Sequence, residues 1–359
     1  YLLQGKIAPR SYTLKIVSPD SLTLQYGDLV SNQTIRWGII GAGIIAHKMA
    51  EAINLEPDNE LVAVASKSPE RAQTFADQYQ IDSETYARLV SRDDIDVVYV
   101  ATTHNFHADN ALLALAHGKH VVIEKPFTVN APQAQVLIDC AKRHKVFLME
   151  AIWTRFLPSM ITLRDTIQSG RIGAVKVANI NFGGIAPDYY LPRLIDPALA
   201  GGVTLDMGIY PISMLCYWLG ELPQISHSHC HFSNTGVDEI ASYQLVFPSG
   251  CIATVNTSFN LLLGQEVSLF GATGRIDYPN FQSADAFTLR ELNGREWRET
   301  ETISNRNADN GFIFQVREAA RCIRAGELES PIIPLAETLG IMQVLDAIRE
   351  QLPLKYDFE

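Results

Sequence analysis

The sequence predicts an α/β protein in two parts: a doubly wound parallel domain, then an α/β domain built on a large, mostly antiparallel open sheet. Three observations predict it. Short β-rich apolar runs alternate with helical stretches from Ile35 onward, a glycine-rich turn joins the first such run to the first helix, and after about residue 155 closely spaced alternating strands take over. A length of 359 residues suits two domains. The expected boundaries are 1–34 for an N-terminal extension, 35–154 for the first domain and 155–359 for the second.

In the extension, Tyr12, Leu14 and Ile16, then Leu22, Leu24 and Tyr26, alternate around the turn-like Ser18-Pro19-Asp20. A hairpin, an arm packed on a neighbour and an expression remnant all suit that pattern, and a start at Tyr1 suggests that something upstream is missing or was removed. The apolar runs 35–40, 61–65, 97–101 and 121–124 then alternate with helical stretches over 46–54, 68–79 and 108–117. That alternation is the signature of a parallel sheet with helices on both faces.

The second part opens with a helix over 159–169 and a strand over 175–182. Strands follow over 224–232, 239–247, 251–259, 266–270 and 275–278, and short turns such as Pro248-Ser249-Gly250 make such neighbours antiparallel. An amphipathic helix over about 204–219 interrupts them, and helices over 312–325 and 335–351 close the chain.

Composition narrows the function. Lys and Arg number 29 against 40 Asp and Glu, a net charge of −11, which disfavours a nucleic-acid partner but permits a small anionic ligand. The five cysteines lie far apart with no CxxC pair, so neither a disulfide framework nor a zinc cage is expected. Reduced thiols in a cytoplasmic protein are. No run of apolar residues is long enough and uncharged enough to suggest a membrane partner.

Gly41-Ala42-Gly43-Ile44-Ile45-Ala46 follows the first strand and opens a helix, the context in which a GxGxxA run binds a dinucleotide. Gly41 and Gly43 let the backbone approach a pyrophosphate, and the N–H groups around Ile44 and Ile45 are free to bind it. The second strand ends in Ser66 and Lys67, with Arg71 a turn later, where an NAD enzyme commonly places an acid. Two cations with hydroxyls favour the 2′-phosphate of NADP; the competing reading is a solvated helix surface.

Farther on come Thr102-Thr103-His104-Asn105-Phe106-His107 and Ile123-Glu124-Lys125-Pro126. Here the sequence resembles the glucose-fructose oxidoreductase / inositol dehydrogenase (Gfo/Idh/MocA) family, marked by Glu-Lys-Pro at the end of a late Rossmann strand. The resemblance runs over about 35–350, although the family commonly carries Pro where Thr103 stands. The segments Glu150-Ala151-Ile152-Trp153-Thr154-Arg155-Phe156 and Gly201-Gly202-Val203-Thr204-Leu205-Asp206-Met207-Gly208-Ile209-Tyr210 are most similar to its branch of dimeric dihydrodiol dehydrogenases and NADP-dependent D-xylose 1-dehydrogenases. The resemblance implies a Rossmann domain, a cis Lys125-Pro126 peptide, and a homodimer through the second domain's sheet.

Hydride removal from a carbinol also requires its hydroxyl proton to leave, so a base is needed beside the nicotinamide. Tyr210 is the expected acid/base, with the Lys125 ammonium lowering its pKa, and Asp206, one helical turn before it, orienting the substrate. A tyrosine on an amphipathic helix is otherwise an ordinary core residue. Gly201-Gly202 would let this helix come close to the cofactor cleft. Glu124 is expected to fix cofactor or loop geometry. Thr102, His104 and His107 are expected to border the nicotinamide, because no acid or thiol at ligand spacing joins the two histidines to make a metal site.

Trp153, Arg155 and Phe156 are expected in the substrate pocket, stacking on a ring and binding its hydroxyls, or else in an aromatic hinge. Asp188, Tyr189, Tyr190 and Arg193 precede the catalytic helix and could cap the pocket. The expected activity is NADP-dependent hydride transfer at a carbinol carbon, with C1 of D-xylose or another aldopyranose ahead of a trans-dihydrodiol. Two rivals remain: another sugar reductase of the family, acting on a keto- or anhydro-sugar, and a non-catalytic NADP-sensing regulator.

Overall fold

A computed structural model describes residues 33–280, 282 and 284–359. The expectation for the extension therefore lies outside the described residues, save for its last two. The first sheet is laid down by β1 (Ile35–Ile40), α1 (Ile44–Leu55), β2 (Asn59–Ala65), α2 (Pro69–Tyr79), β3 (Asp82–Glu84), α3 (Tyr86–Val90), β4 (Val97–Val100), α4 (His107–Ala116), β5 (His120–Glu124), α5 (Ala131–His144) and β6 (Leu148–Ala151). All six strands are parallel, in the order β3-β2-β1-β4-β5-β6. Val and Ile supply most of β1, β4 and β5 because helices cover both faces, and every residue of β4 is buried. The strand order reverses between β1 and β4, and ligands of such sheets bind in the crevice beyond that point.

The second part runs through α6 (Pro158–Gln168), β7 (Val175–Ile185), α7 (Leu191–Leu194), α8 (Ile209–Leu219), β8 (Gln224–Phe232), β9 (Asp238–Val246), β10 (Ile252–Ser258), β11 (Asn260–Gly264), β12 (Val267–Gly271), β13 (Gly274–Tyr278), β14 (Ala286–Asn293), β15 (Glu296–Ser304), α9 (Ile313–Arg324) and α10 (Leu335–Gln351). Its nine-stranded sheet follows β15-β14-β13-β12-β7-β10-β9-β8, with β11 also on β7. The sheet is mixed: β7 and β10 run parallel through its middle, and the other pairs are antiparallel. The sequence did not predict β11, β14 or β15. In β15, eight of nine residues are exposed, so no buried face imposes the apolar alternation that marks a strand.

α8 is apolar nearly all round and all but its last residue are buried. The stretch Pro197–Leu219 has the length and hydropathy of a membrane span, but 89% of its most apolar window is buried inside the fold, as a core helix requires. α9 and α10 lie beyond residue 155 in sequence yet lean back on the first sheet. Arg317 pairs with Glu56, just past the end of α1, at 2.7 Å, and Asp346 Oδ2 accepts the Ala131 N–H at the start of α5 at 2.8 Å. These contacts hold the helices of the first sheet against the second part, and a cleft is left between the two sheets.

Candidate active site

The cleft, of about 1040 Å³, opens beyond the carboxyl ends of β1, β2, β4 and β5. Gly41, Gly43, Ile44, Ile45, Ser66, Lys67, Arg71, Thr102, His104, His107, Glu124 and Lys125, the residues expected at the cofactor, all line it. Gly41 has φ of 111°, and a Cβ there would sit 2.5 Å from the Ala101 carbonyl oxygen, so only glycine lets β1 and β4 lie this close at the turn. A Cβ on Gly43 would meet nothing within 4 Å, so this residue faces open space at the N-terminus of α1. That cradle, with Lys67 and Arg71 at its rim and no acid ending β2, fits a phosphorylated dinucleotide.

Side chains of the first sheet are then pinned around the middle of the cleft. His107 places its two ring nitrogens 2.8 Å from the Pro126 carbonyl and 3.1 Å from that of Thr102, and burial pushes its pKa down to about 3. Burial also lowers His104, against the pull of Asp206, so the ring is neutral at pH 7. Its Nδ1 can donate to the Ala200 carbonyl at 3.0 Å, which leaves Nε2 to accept from Arg193 Nη1 at 3.2 Å. Tyr99 donates to Glu124 Oε1, and burial raises that carboxyl to about 7 against the influence of Tyr99 and Lys125. The Lys125-Pro126 peptide is cis.

Across the cleft, a π-helical turn over Thr204–Gly208 runs into α8 and brings Asp206 and Tyr210 to the same wall. Lys125 Nζ donates to the Asp206 main-chain oxygen at 2.7 Å and to its Oδ1 at 3.2 Å, while Arg193 Nη2 donates to Oδ1 at 2.6 Å. Burial alone would raise the Asp206 carboxyl; Lys125 and Arg193 hold it well below the usual carboxylate range. Trp153 Nε1 donates to Tyr210 Oη at 3.2 Å, and the Tyr210 ring meets Phe182 edge-on.

Four expectations change here. The first concerns Tyr210, whose pKa Lys125 does not bring down. Its ammonium lies 5.1 Å from the ring centroid but is directed at Asp206, and burial, followed by Glu124, raises the phenol well above 10. The Tyr210 phenol thus keeps its proton at neutral pH. Arg155, second, is absent from the cleft: it is fully buried and donates to Ser213 Oγ, the Ser213 and Ile332 carbonyls and Glu337 Oε1. It braces α8 from behind. Phe156, the third, is core, 3% exposed. Trp153 alone of that segment reaches the cleft, stacked on Phe312. The fourth is Gly201-Gly202, which serves contacts away from the nucleotide. Gly202 has φ of 120°, and a Cβ on it would strike Asp238 Oδ1, whose partner oxygen caps the Thr204 N–H at 2.8 Å.

Tyr189, Tyr190 and Arg193 line the cleft as expected, while Asp188 is absent from its lining. Phe182, Phe259, Gln265 and Phe312 also line it and were not singled out from the sequence. No local pattern marks them, since each is one residue of an ordinary strand end or loop brought in by the tertiary fold.

The sequence matches the oxidoreductase family with an NAD-binding Rossmann fold, GFO/IDH/MocA, over residues 35–152, and the GFO/IDH/MocA C-terminal domain over 160–277. A trans-1,2-dihydrobenzene-1,2-diol dehydrogenase of Xenopus laevis is 32% identical, over 89% of this chain and 99% of that protein. A D-xylose 1-dehydrogenase (NADP(+)) of Hypocrea jecorina is also 32% identical, covering 89% and 92%. Among solved structures, a 3-ketoreductase from Actinomadura kijaniata in complex with NADP and TDP-benzene superposes with a TM-score of 0.80 at 26% identity, over 89% of this chain and 98% of that one. A shared two-domain pattern and near-complete coverage of these relatives join the cleft's own geometry in one conclusion: the chain belongs to the GFO/IDH/MocA oxidoreductase family.

Proposed function

We propose that this protein is an NADP-dependent oxidoreductase that moves hydride between the nicotinamide and a carbinol carbon of a sugar or trans-dihydrodiol. One observation carries the reading: Lys125, Asp206 and Tyr210 meet in the same cleft whose far end holds the glycine cradle and the cations Lys67 and Arg71. When bound, the cofactor supplies or accepts hydride at C4 of its nicotinamide. The chain's residues handle the proton. In reduction, Tyr210 Oη gives its proton to the carbonyl oxygen as the C=O bond opens, and in oxidation the same oxygen takes it back. Lys125 stands beside the phenolate this leaves and offers a further N–H to the reacting oxygen. Trp153 fixes the direction of the Tyr210 hydroxyl.

A rate screen of aldoses, ketoses and trans-diols, each with NADP(H) and NAD(H), tests this reading. Turnover of D-xylose or a trans-diol with NADP+ is expected. NADPH binding without turnover on the whole panel would make the protein a cofactor sensor instead.

We also propose a homodimer through the outer face of the nine-stranded sheet. Phe270, Val177, Ile252 and Val246 lie in register across four strands there, and the last three are 38–44% exposed. Sedimentation of the purified protein reads this directly. The five free cysteines, four of them buried, suit the reducing cytoplasm, which we propose as its compartment and cell fractionation checks.

A further inference from the structure

We propose that Arg193 sets substrate choice: it holds Asp206 so that the free carboxylate oxygen accepts the hydroxyl next to the reacting carbinol, which confines the enzyme to substrates with vicinal hydroxyls. This rests on the oxidoreductase reading above. Every hydrogen bond to the Asp206 carboxylate from the described residues falls on Oδ1, which takes Arg193 Nη2 at 2.6 Å and Lys125 Nζ at 3.2 Å and lies 3.4 Å from His104 Nε2. Oδ2 has no hydrogen-bond partner among the described residues, and the side chain lines the cleft at 10% exposure. A carboxylate so placed is an acceptor awaiting a donor, and desolvating it without one is costly.

Tyr210 lies one helical turn beyond Asp206 on the same wall. With the reacting oxygen at Tyr210 and Lys125, the group within reach of Oδ2 is the neighbouring substituent. A hydroxyl donates there; a hydrogen leaves the carboxylate unpaired. D-xylose at C1 and a trans-1,2-diol share this element, so the same site accommodates both.

Arg193 is the positioning residue because of what it spans. It donates to Asp206, to Tyr190 Oη at 2.7 Å and to the unprotonated Nε2 of His104 at 3.2 Å. It thereby ties the segment holding α7 to the loop after β4 and to the turn that carries Asp206. The Gly202 N–H, bonded to the Leu194 carbonyl at 2.8 Å, fixes the distance between arginine and carboxylate through the backbone. Lys125 alone would hold Oδ1 from one side and leave the carboxylate free to turn.

The test compares D-xylose with 2-deoxy-D-xylose, and trans-cyclohexane-1,2-diol with cyclohexanol, in the wild type, Arg193→Gln and Arg193→Lys. The wild type should favour the vicinal member by at least about a hundredfold in kcat/KM. Arg193→Gln should lose about a hundredfold on it and less than about threefold on the partner that lacks the neighbouring hydroxyl, and Arg193→Lys should recover part of the preference. The groups facing Asp206 are Lys125, Arg193, His104, Tyr190, Glu124 and Tyr210. Removing one of its two cations raises its pKa, so the loss of rate on protonating Asp206 should set in at higher pH than in the wild type. NADPH affinity, read by fluorescence titration, should stay within about twofold.

Equal losses on both members of a pair, with the pH of that onset unmoved, would reduce Arg193 to a structural residue and overturn the proposal. If the Gln variant fails to bind NADPH, the Lys variant decides by the same ratio. A wild type that turns over none of the four compounds would instead overturn the oxidoreductase reading, and this inference with it.

Discussion

The two halves of the cleft recognise by different means. At the nucleotide end the working surface is backbone: a turn kept tight by Gly41, an open cradle at Gly43, and cations that project freely from the end of β2 and the start of α2. At the carbinol end it is a closed circuit of side chains, in which Lys125, Arg193, Asp206, His104 and Tyr190 each hold another. The first half can lose a side chain and keep its shape. In the second, removing one group leaves another buried without a partner, and effects should be large and coupled.

The sharpest break comes at Tyr210. Tyr210→Phe deletes the proposed proton donor but keeps the ring that packs edge-on against Phe182. The maximal rate should fall at least about a hundredfold while NADPH affinity, set at the other end, stays near normal. Steady-state kinetics with a parallel NADPH titration read both values, and unchanged turnover would remove Tyr210 from the chemistry.

Next in size is Arg155, which carries the same guanidinium as Arg193 but turns it away from the cleft, toward Ser213 and Glu337. Arg155→Met keeps most of the volume but strips donors from Ser213, Ile332 and Glu337. A loss of about 2 kcal/mol is expected, because those acceptors stay behind α8 without partners. Thermal unfolding should show a midpoint several degrees lower. The preference for vicinal hydroxyls should survive, in contrast to Arg193→Gln, and loss of that preference would put Arg155 in contact with the substrate.

The same contrast explains what could be read before the fold was known. The nucleotide end is written in one βαβ unit: Gly41, Gly43, Ser66, Lys67 and Arg71 lie within 31 residues, and local turn and cap geometry carries them to the cleft. The carbinol end draws on β5, the turn after β6, α7 and the start of α8, and nothing local says which way a side chain will turn. Arg155 follows Trp153 by two residues, yet the tight turn Trp153–Phe156 points the tryptophan at Tyr210 and the arginine at Ser213 on the same helix. Asp206 and Tyr210 were legible because one helix carries both. The strength of the Arg193–Asp206 pair was not, since it depends on how closely Gly201 lets α7 approach: a Cβ on Gly201 would strike the Leu194 carbonyl oxygen.

The smallest effect expected is at Lys67, and it is the one that separates two readings of an exposed cation. Lys67 is solvent-exposed at the rim of the cleft, with Nζ 5.7 Å from the centroid of the Phe106 ring, and Arg71 stands one helical turn along. If the pair binds a 2′-phosphate, Lys67→Ala should weaken NADPH about tenfold and NADH less than about twofold, because only the former carries that group. The missing contact is a screened surface interaction, so the difference between the two cofactors should shrink as ionic strength rises. Arg71 remains in the variant and limits the loss. Equal weakening of both cofactors would mean that Lys67 merely supports the end of β2, and the choice between them would then rest on the absent acid alone.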